Sequence, residues 1–290
     1  MTDRRTRFHD VIESAVARRG AALTGVCNVT PDSFSDGGRY LDETAARARV
    51  DTLLEEGADI VDIGGETTKP GSRPVPAKEQ LARVLEVVRY AVKRGACVSI
   101  DTTSAEVAAT CLDSGAHAVN DVSFLADEDL ARVAGGSSAA LVLSHCRAPQ
   151  EKMSGFGGWH GSYGDVVNDV IADWQRAATR AVELGVPRSA LVMDPGLGYS
   201  KTSRHSFEIL RRAAVLVNAV DVPVLFGASR KSFLTLVDRD AAADARIGAS
   251  IAAAMHAVRA GVRVVRVHDV RATRQALDVE VVVGSSRRKI

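Results

Sequence analysis

The chain has 290 residues, 46% of them hydrophobic and 25% charged, with a net charge of +1. This size and balance suit a globular protein of one large or two medium domains, and near-neutrality leaves no electrostatic footprint for nucleic acid or an acidic membrane. No apolar run reaches bilayer length, and the charged N-terminus lacks the apolar core of a leader. Cys27, Cys97, Cys111 and Cys146 are widely spaced with no CxxC pair. They read as reduced core thiols of a cytoplasmic protein.

Residues 1–20 are Arg-rich, with Phe8, Val11, Ile12 and Val16 spaced along one face of a peripheral N-terminal helix. A first strand, Leu23 to Val29, precedes the turn-rich loop 30–38 and a helix over 43–56 carrying Val50, Leu53 and Leu54. From there a rhythm sets in: a helix stops at a glycine, a short apolar strand follows, and a polar residue stands at the strand's end. Gly57 precedes the strand 60–63, Gly95 the strand 97–100 and Asp101, and Gly115 the pair Ala118-Val119 before Asn120-Asp121. Ala139 to Leu143 leads to Ser144-His145, and Gly185 ends a long amphipathic helix before Ala190 to Met193 and Asp194. Val222 to Phe226 leads to Gly227-Ala228-Ser229-Arg230-Lys231-Ser232, and Gly261 precedes Val262 to Val267, then His268-Asp269. Glycine supplies the left-handed residue that closes a helix, which gives these stops a mechanism.

Eight apolar strands alternating with helices predict a (β/α)8 TIM barrel, with an open doubly wound sheet as the alternative. The domain expectation is a helical extension over 1–20 and a single barrel over 21–290. Strand C-termini of a barrel converge on one mouth, which would gather Asn28, Asp101, Asn120, His145, Asp194, Lys231, Arg266 and His268. Asp62 and Asp121 read instead as helix caps or as bonds to neighbouring strands and loops. Asp101, Asn120 and Asp194 suit the donor-rich edge of a nitrogen heterocycle. Asn28, Thr68, Lys69, Arg266 and His268 suit phosphate. Gly196-Leu197-Gly198 lacks the third glycine of a dinucleotide fingerprint, and Ser200-Lys201-Thr202 lacks the glycine that precedes a Walker lysine. The residues by themselves point to a barrel enzyme acting on a phosphorylated heterocycle.

Seven segments in order carry a resemblance. They are Asn28 to Gly38, Gly64 to Gly71, Ser99-Ile100-Asp101-Thr102, Asn120-Asp121, Asp194-Pro195-Gly196, Ser229 to Phe233, and Arg266-Val267-His268-Asp269. Together they resemble the dihydropteroate synthases, pterin-binding enzymes of folate synthesis and targets of sulfonamides. The resemblance implies a homodimeric barrel that joins 6-hydroxymethyl-7,8-dihydropterin diphosphate to p-aminobenzoate with Mg2+, releasing diphosphate. By the same resemblance Asp101, Asn120, Asp194 and Lys231 line the pterin site. Asn28, Thr68, Lys69, Arg266 and His268 hold the diphosphate, with Asn28 beside the metal. Phe34, Pro70, Tyr199, Lys231 and Ser232 shape the p-aminobenzoate site. Asp101, Asp194, Lys231, Arg266 and His268 are the implied catalytic set. Lys69 and Thr67 stand where the family usually has Arg and Ser, and Tyr199-Ser200 replaces Phe followed by Gly or Ala. Ser144-His145-Cys146-Arg147 replaces a more usual Met-His-Met-Gln run. The N-terminal helix takes the place of short strands that plug the barrel's base. A divergent or non-catalytic pterin-binding paralogue is the alternative function.

Overall fold

A computed structural model describes residues 3–30, 38–67, 71–149, 152 and 162–286. The expectations for Phe34, Thr68, Lys69 and Pro70, and most of the long loop after the fifth strand, lie outside the described residues. Eight strands alternate with helices: β1 (Ala22–Asn28), β2 (Ile60–Gly64), β3 (Cys97–Asp101), β4 (Ala118–Asp121), β5 (Ala140–Ser144), β6 (Leu191–Asp194), β7 (Leu225–Phe226) and β8 (Val264–Val267). The helices are α1 (Arg4–Arg19), α2 (Gly38–Glu56), α3 (Ala77–Lys93), α4 (Ala105–Asp113), α5 (Asp129–Gly136), α6 (Val166–Glu183), α7 (Ser203–Arg211), α8 (Ala213–Ala219), α9 (Ile247–Arg259) and α10 (Val270–Ser286).

Every strand pair is parallel, and the order β6-β5-β4-β3-β2-β1-β8-β7 runs sequentially around a ring. A doubly wound sheet would reverse direction at a switch point, and none occurs. The seam between β6 and β7 is held by a bridge of Met193 to Val224, with the Met193 N–H donating to Pro223 O at 2.9 Å. The predicted strand 222–226 shrinks to two residues because Pro223 has no N–H for a ladder. The five predicted helix-stop glycines all take positive φ, Gly115 at 104° for instance. All four cysteines are free and buried. No described helix is long and apolar enough to cross a membrane.

Side chains alternate across each strand, which sorts the barrel into layers. Val61, Val98, Val119, Leu141, Leu191 and Val265 face outward into the core beneath the helices. Ile60, Cys97, Ala118, Val142, Val192 and Val264 form a separate inner cluster with Phe8, Ile12 and Ala15 of α1. The helix is therefore interior to the base of the barrel, not peripheral: Ile12 and Ala15 are fully buried. Its start is capped by the Asp3 carboxylate, which accepts from the Arg5 N–H at 3.3 Å. Two residues further along the same inward-facing rows the chemistry changes abruptly, to Asp62, Ser99, Asn120, Ser144, Asp194 and Arg266. All of these but Arg266 are almost completely buried.

Candidate active site

Arg266 is the centre of the upper layer. Its Nε donates to Asp62 Oδ2 and its Nη2 to Asp101 Oδ2, both at 2.6 Å. Burial opposes the guanidinium charge, but the Asp62 and Asp101 carboxylates outweigh it and raise the Arg266 pKa. Burial pushes the Asp101 carboxyl up; Arg266 pulls it back, while Asp62 and Glu66 push it further in the same direction. Asn120 Nδ2 donates to Asp62 Oδ2 at 3.4 Å. Asp62 Oδ1, Asp101 Oδ1 and Asn120 Oδ1 are nevertheless buried with no hydrogen-bond partner among the described residues. Buried acceptors are normally satisfied, so three orphans in one polar cluster mark a place built for the donors of a ligand.

Asp194 is fixed from two sides, by the Ser144 hydroxyl on Oδ2 at 3.0 Å and the Gly196 N–H on Oδ1 at 2.8 Å. The parallel register of β5 and β6 sets Ser144 directly beside Asp194. Gly196 is required where it stands. Its φ is 65°, and a Cβ there would come within 2.0 Å of His145 O. Beyond the turn, Lys231 donates from Nζ to Leu197 O at 2.7 Å, with Nζ 4.2 Å from the Tyr199 ring centroid. Burial lowers the Lys231 pKa to about 8 against the pull of Asp194. Gly227 leaves bare space beside this pair, since a Cβ there would meet the Lys231 Nζ only at 3.9 Å. Ser232 follows directly and opens a short 3-10 helix, Ser232–Leu236.

His268 lies past the end of β8. Its backbone N–H donates to Ser229 Oγ at 3.1 Å, and its Nδ1 lies 3.1 Å from the same oxygen. Burial, with Arg266 and Arg230 nearby, lowers the His268 pKa to about 3, so the ring is neutral. Arg230 is turned away into a paired contact with Asp269 at 3.0 and 2.5 Å. Asn28 ends β1 beside Gly64. A Cβ on Gly64 would sit 3.6 Å from Asn28 Oδ1 and 3.4 Å from Asp101 Cβ, so the bare glycine keeps that corner open. No group of three or more His, Cys, Asp or Glu able to hold a metal occurs among the described residues.

Of the residues expected at the mouth, Asn28, Asp101, Asn120, Asp194, Lys231, Arg266 and His268 come together, with Tyr199 beneath Lys231. His145 does not join them. It is fully buried behind the β6 turn, with Nε2 3.0 Å from Asp173 Oδ2 and Nδ1 2.9 Å from Lys201 Nζ. Burial, then Lys201, lowers its pKa to about 3. Asp121 does tie its own loop, accepting from the Ser123 and Leu125 N–H groups, both at 2.7 Å. Asp62, expected as a cap or as a bond to strands and loops, does bond strand residues, Arg266 and Asn120, but these lie inside the candidate site, so it belongs with the residues gathered there. The period of two along β2 held the signal, since Asp62 stands two residues after inward-facing Ile60 as Arg266 does after Val264.

Residues 24–268 match the sequence profile of the family described as pterin binding enzyme. Among curated relatives, the dihydropteroate synthase of Mycobacterium leprae is 44% identical over 268 residues, covering 89% of this chain and 91% of the relative. Among solved structures, the Xanthomonas albilineans dihydropteroate synthase in complex with 7,8-dihydropteroate superposes with a TM-score of 0.80 at 33% identity, covering 91% and 94% of the two chains. The Thermus thermophilus enzyme in complex with 4-aminobenzoate gives 0.79 at 39% identity, with the same coverage. With a match over most of its length and a barrel mouth built of the same motifs, the chain belongs to the pterin-binding enzyme family.

Proposed function

We propose that the chain synthesises 7,8-dihydropteroate, joining 6-hydroxymethyl-7,8-dihydropterin diphosphate to p-aminobenzoate. The observation that carries this reading is the cluster of orphaned acceptors on Asp62, Asp101 and Asn120 beside the fixed Asp194 carboxylate. A pterin ring presents adjacent N–H donors along one edge, and buried carboxylates pair strongly with such donors. Asp101, Asn120, Asp194 and Lys231 make the pterin site in this reading, with Asp62 holding Arg266 and Asn120 in register.

The reaction breaks the bond from the pterin methylene carbon to the diphosphate oxygen, and the leaving group takes the electron pair. The arylamine nitrogen forms the new bond to that carbon and gives up a proton. Arg266 keeps Nη1 uncommitted to the carboxylates that bind its other nitrogens and acts through it on the departing diphosphate, and His268 joins it in the tautomer that carries the proton on Nε2. Asp101 and Asp194 favour positive charge that develops on the ring. Tyr199, Lys231 and Ser232, with Phe34 and Pro70, orient the arylamine, and positioning supplies most of what a competent nucleophile needs. Thr68 and Lys69 belong to the diphosphate side of the same reading.

Mg2+ suits this site as a partner of substrate phosphate. Such an ion takes few protein ligands and keeps much of its water, and Asn28 Oδ1 at the open corner made by Gly64 would be one such ligand. Bound there, it would neutralise charge on the diphosphate. Four buried free thiols suit the reducing cytoplasm. Exposed Leu236, Val237 and Ile247 support a homodimer, with sedimentation as its check. Sulfonamides, as p-aminobenzoate mimics, would compete at the arylamine site.

Turnover tests the reading. Purified protein with dihydropterin diphosphate, p-aminobenzoate and Mg2+ should release dihydropteroate and diphosphate in equal amounts. Tight binding of the pterin diphosphate without product would support the non-catalytic paralogue instead.

A further inference from the structure

Lys201 is only 3% exposed, yet no carboxylate among the described residues touches it. Its Nζ lies 2.9 Å from His145 Nδ1, 3.2 Å from His145 O, 3.1 Å from Gly196 O and 3.1 Å from Tyr199 O. A buried ammonium surrounded by neutral acceptors is expensive unless it serves the groups it binds. Two of those carbonyls belong to the β6 turn and one to the loop after β5, pressed together where Gly196 meets His145 O. The same turn carries Leu197 O and the Tyr199 ring, the two groups on which Lys231 rests.

The chain of contacts continues outward. Asp173 on α6 only accepts, so His145 Nε2 carries the ring proton towards it at 3.0 Å, and Nδ1 is left as the acceptor for Lys201. Asp173 is in turn held by Arg147 Nε at 2.7 Å. Ser200, between Tyr199 and Lys201, has a left-handed φ of 46°, a conformation that persists in a non-glycine residue only when its surroundings enforce it. Its hydroxyl accepts from the Arg147 N–H at 3.2 Å, and its carbonyl from the Tyr163 hydroxyl at 3.1 Å.

We infer that Lys201 is a positioning residue for the arylamine side of the site, clamping the β6 turn so that Leu197 O and Tyr199 hold the Lys231 ammonium in place, with Asp173 and His145 setting the acceptor it needs. The inference rests on the reading of Lys231 and Tyr199 as arylamine-site residues. The pterin side is held mostly elsewhere: Asp101 and Asn120 sit on strands and Ser144 holds Asp194 across the β5–β6 ladder, so the clamp reaches it only through Lys231 and the Gly196 N–H on Asp194. A merely structural lysine would affect both substrates alike or neither.

Kinetics, calorimetry and crystal structures of the wild type, Lys201→Met and Asp173→Asn separate these cases. Lys201→Met should raise the KM for p-aminobenzoate at least tenfold and weaken dihydropterin diphosphate by a clearly smaller factor, through Lys231 alone. Its crystal structure should show Lys231 Nζ moved off Leu197 O. Asp173→Asn, on the outer helix, should shift the same KM about threefold and decides the matter if the methionine variant does not fold. An unchanged KM with the Lys231 contact intact, or a loss of pterin affinity as large as the rise in KM, would overturn the inference. A wild type without turnover would count against the proposed reaction, and the position of Lys231 in the variant structures would then decide the inference alone.

Discussion

The two halves of the barrel interior are built on the same strands and obey opposite rules. Below, Ile60, Cys97, Ala118, Val192 and Val264 close on Phe8 and Ile12 of α1 with no polar group among them. Above, one repeat further along the same rows, Asp62, Asn120 and Asp194 crowd around a partly buried Arg266 in a space almost as hidden from water. The lower half is held by apolar burial and close packing. The upper half carries charges that must be paired, and three acceptors left unpaired. Stability and recognition are thus separated by about two residues of strand, some ~7 Å.

Substitutions should keep that separation. The largest effect is expected from Arg266→Met, which strips the counterion from Asp62 and Asp101 together. Breaking a buried ion network in this way costs roughly 4 kcal/mol, equivalent to about a thousandfold loss in kcat/KM if it falls on the reaction. Steady-state kinetics and calorimetric binding of the pterin diphosphate would measure it. Phe8→Ala should do the reverse, lowering unfolding free energy by about 3–5 kcal/mol in urea titrations while kcat stays within twofold wherever the protein is folded. A Phe8 variant that loses activity while fully folded would break the comparison.

Acid should act on the upper half. His145 and His268 are held neutral with pKa values lowered to about 3, whereas an unfolded histidine titrates near 6.5. Below about pH 6.5 the unfolded chain takes up protons that the folded chain refuses, so stability falls as pH drops from there towards 3. Urea midpoints at pH 7 and pH 5 would show it, and His268→Gln should reduce the difference. A smaller effect belongs to Lys231, whose pKa near 8 means that its charge is lost above that pH. The kcat/KM for p-aminobenzoate should decline by severalfold between pH 8 and 9.5, and Lys231→Arg should remove that limb.

The separation was only partly legible in the sequence. Strand apolarity marks all eight units and helix-stop glycines mark five of them, because both faces of a parallel sheet are buried and a left-handed helix exit favours glycine. Asp101, Asp194 and His268 are visible because a polar residue at the end of an apolar run has few other reasons to be there. Asp62 is hidden by lying inside its run, where only the inward row distinguishes it from a stray acid. His145 looks like a mouth residue because it follows a strand, and nothing local marks Lys201 as buried; the two meet out of solvent instead. Their burial depends on how two loops press together at Gly196, a long-range contact that no local pattern encodes.

The most direct test of the account is calorimetric binding of 6-hydroxymethyl-7,8-dihydropterin diphosphate to the wild type and to Asp194→Asn, alongside thermal unfolding of both. Asp194 sits in the upper half and contributes nothing to the apolar plug, so binding should be abolished in the variant while its unfolding temperature stays within a few degrees of the wild type. An unchanged dissociation constant in a folded Asp194→Asn protein would contradict the assignment of the upper half to pterin recognition.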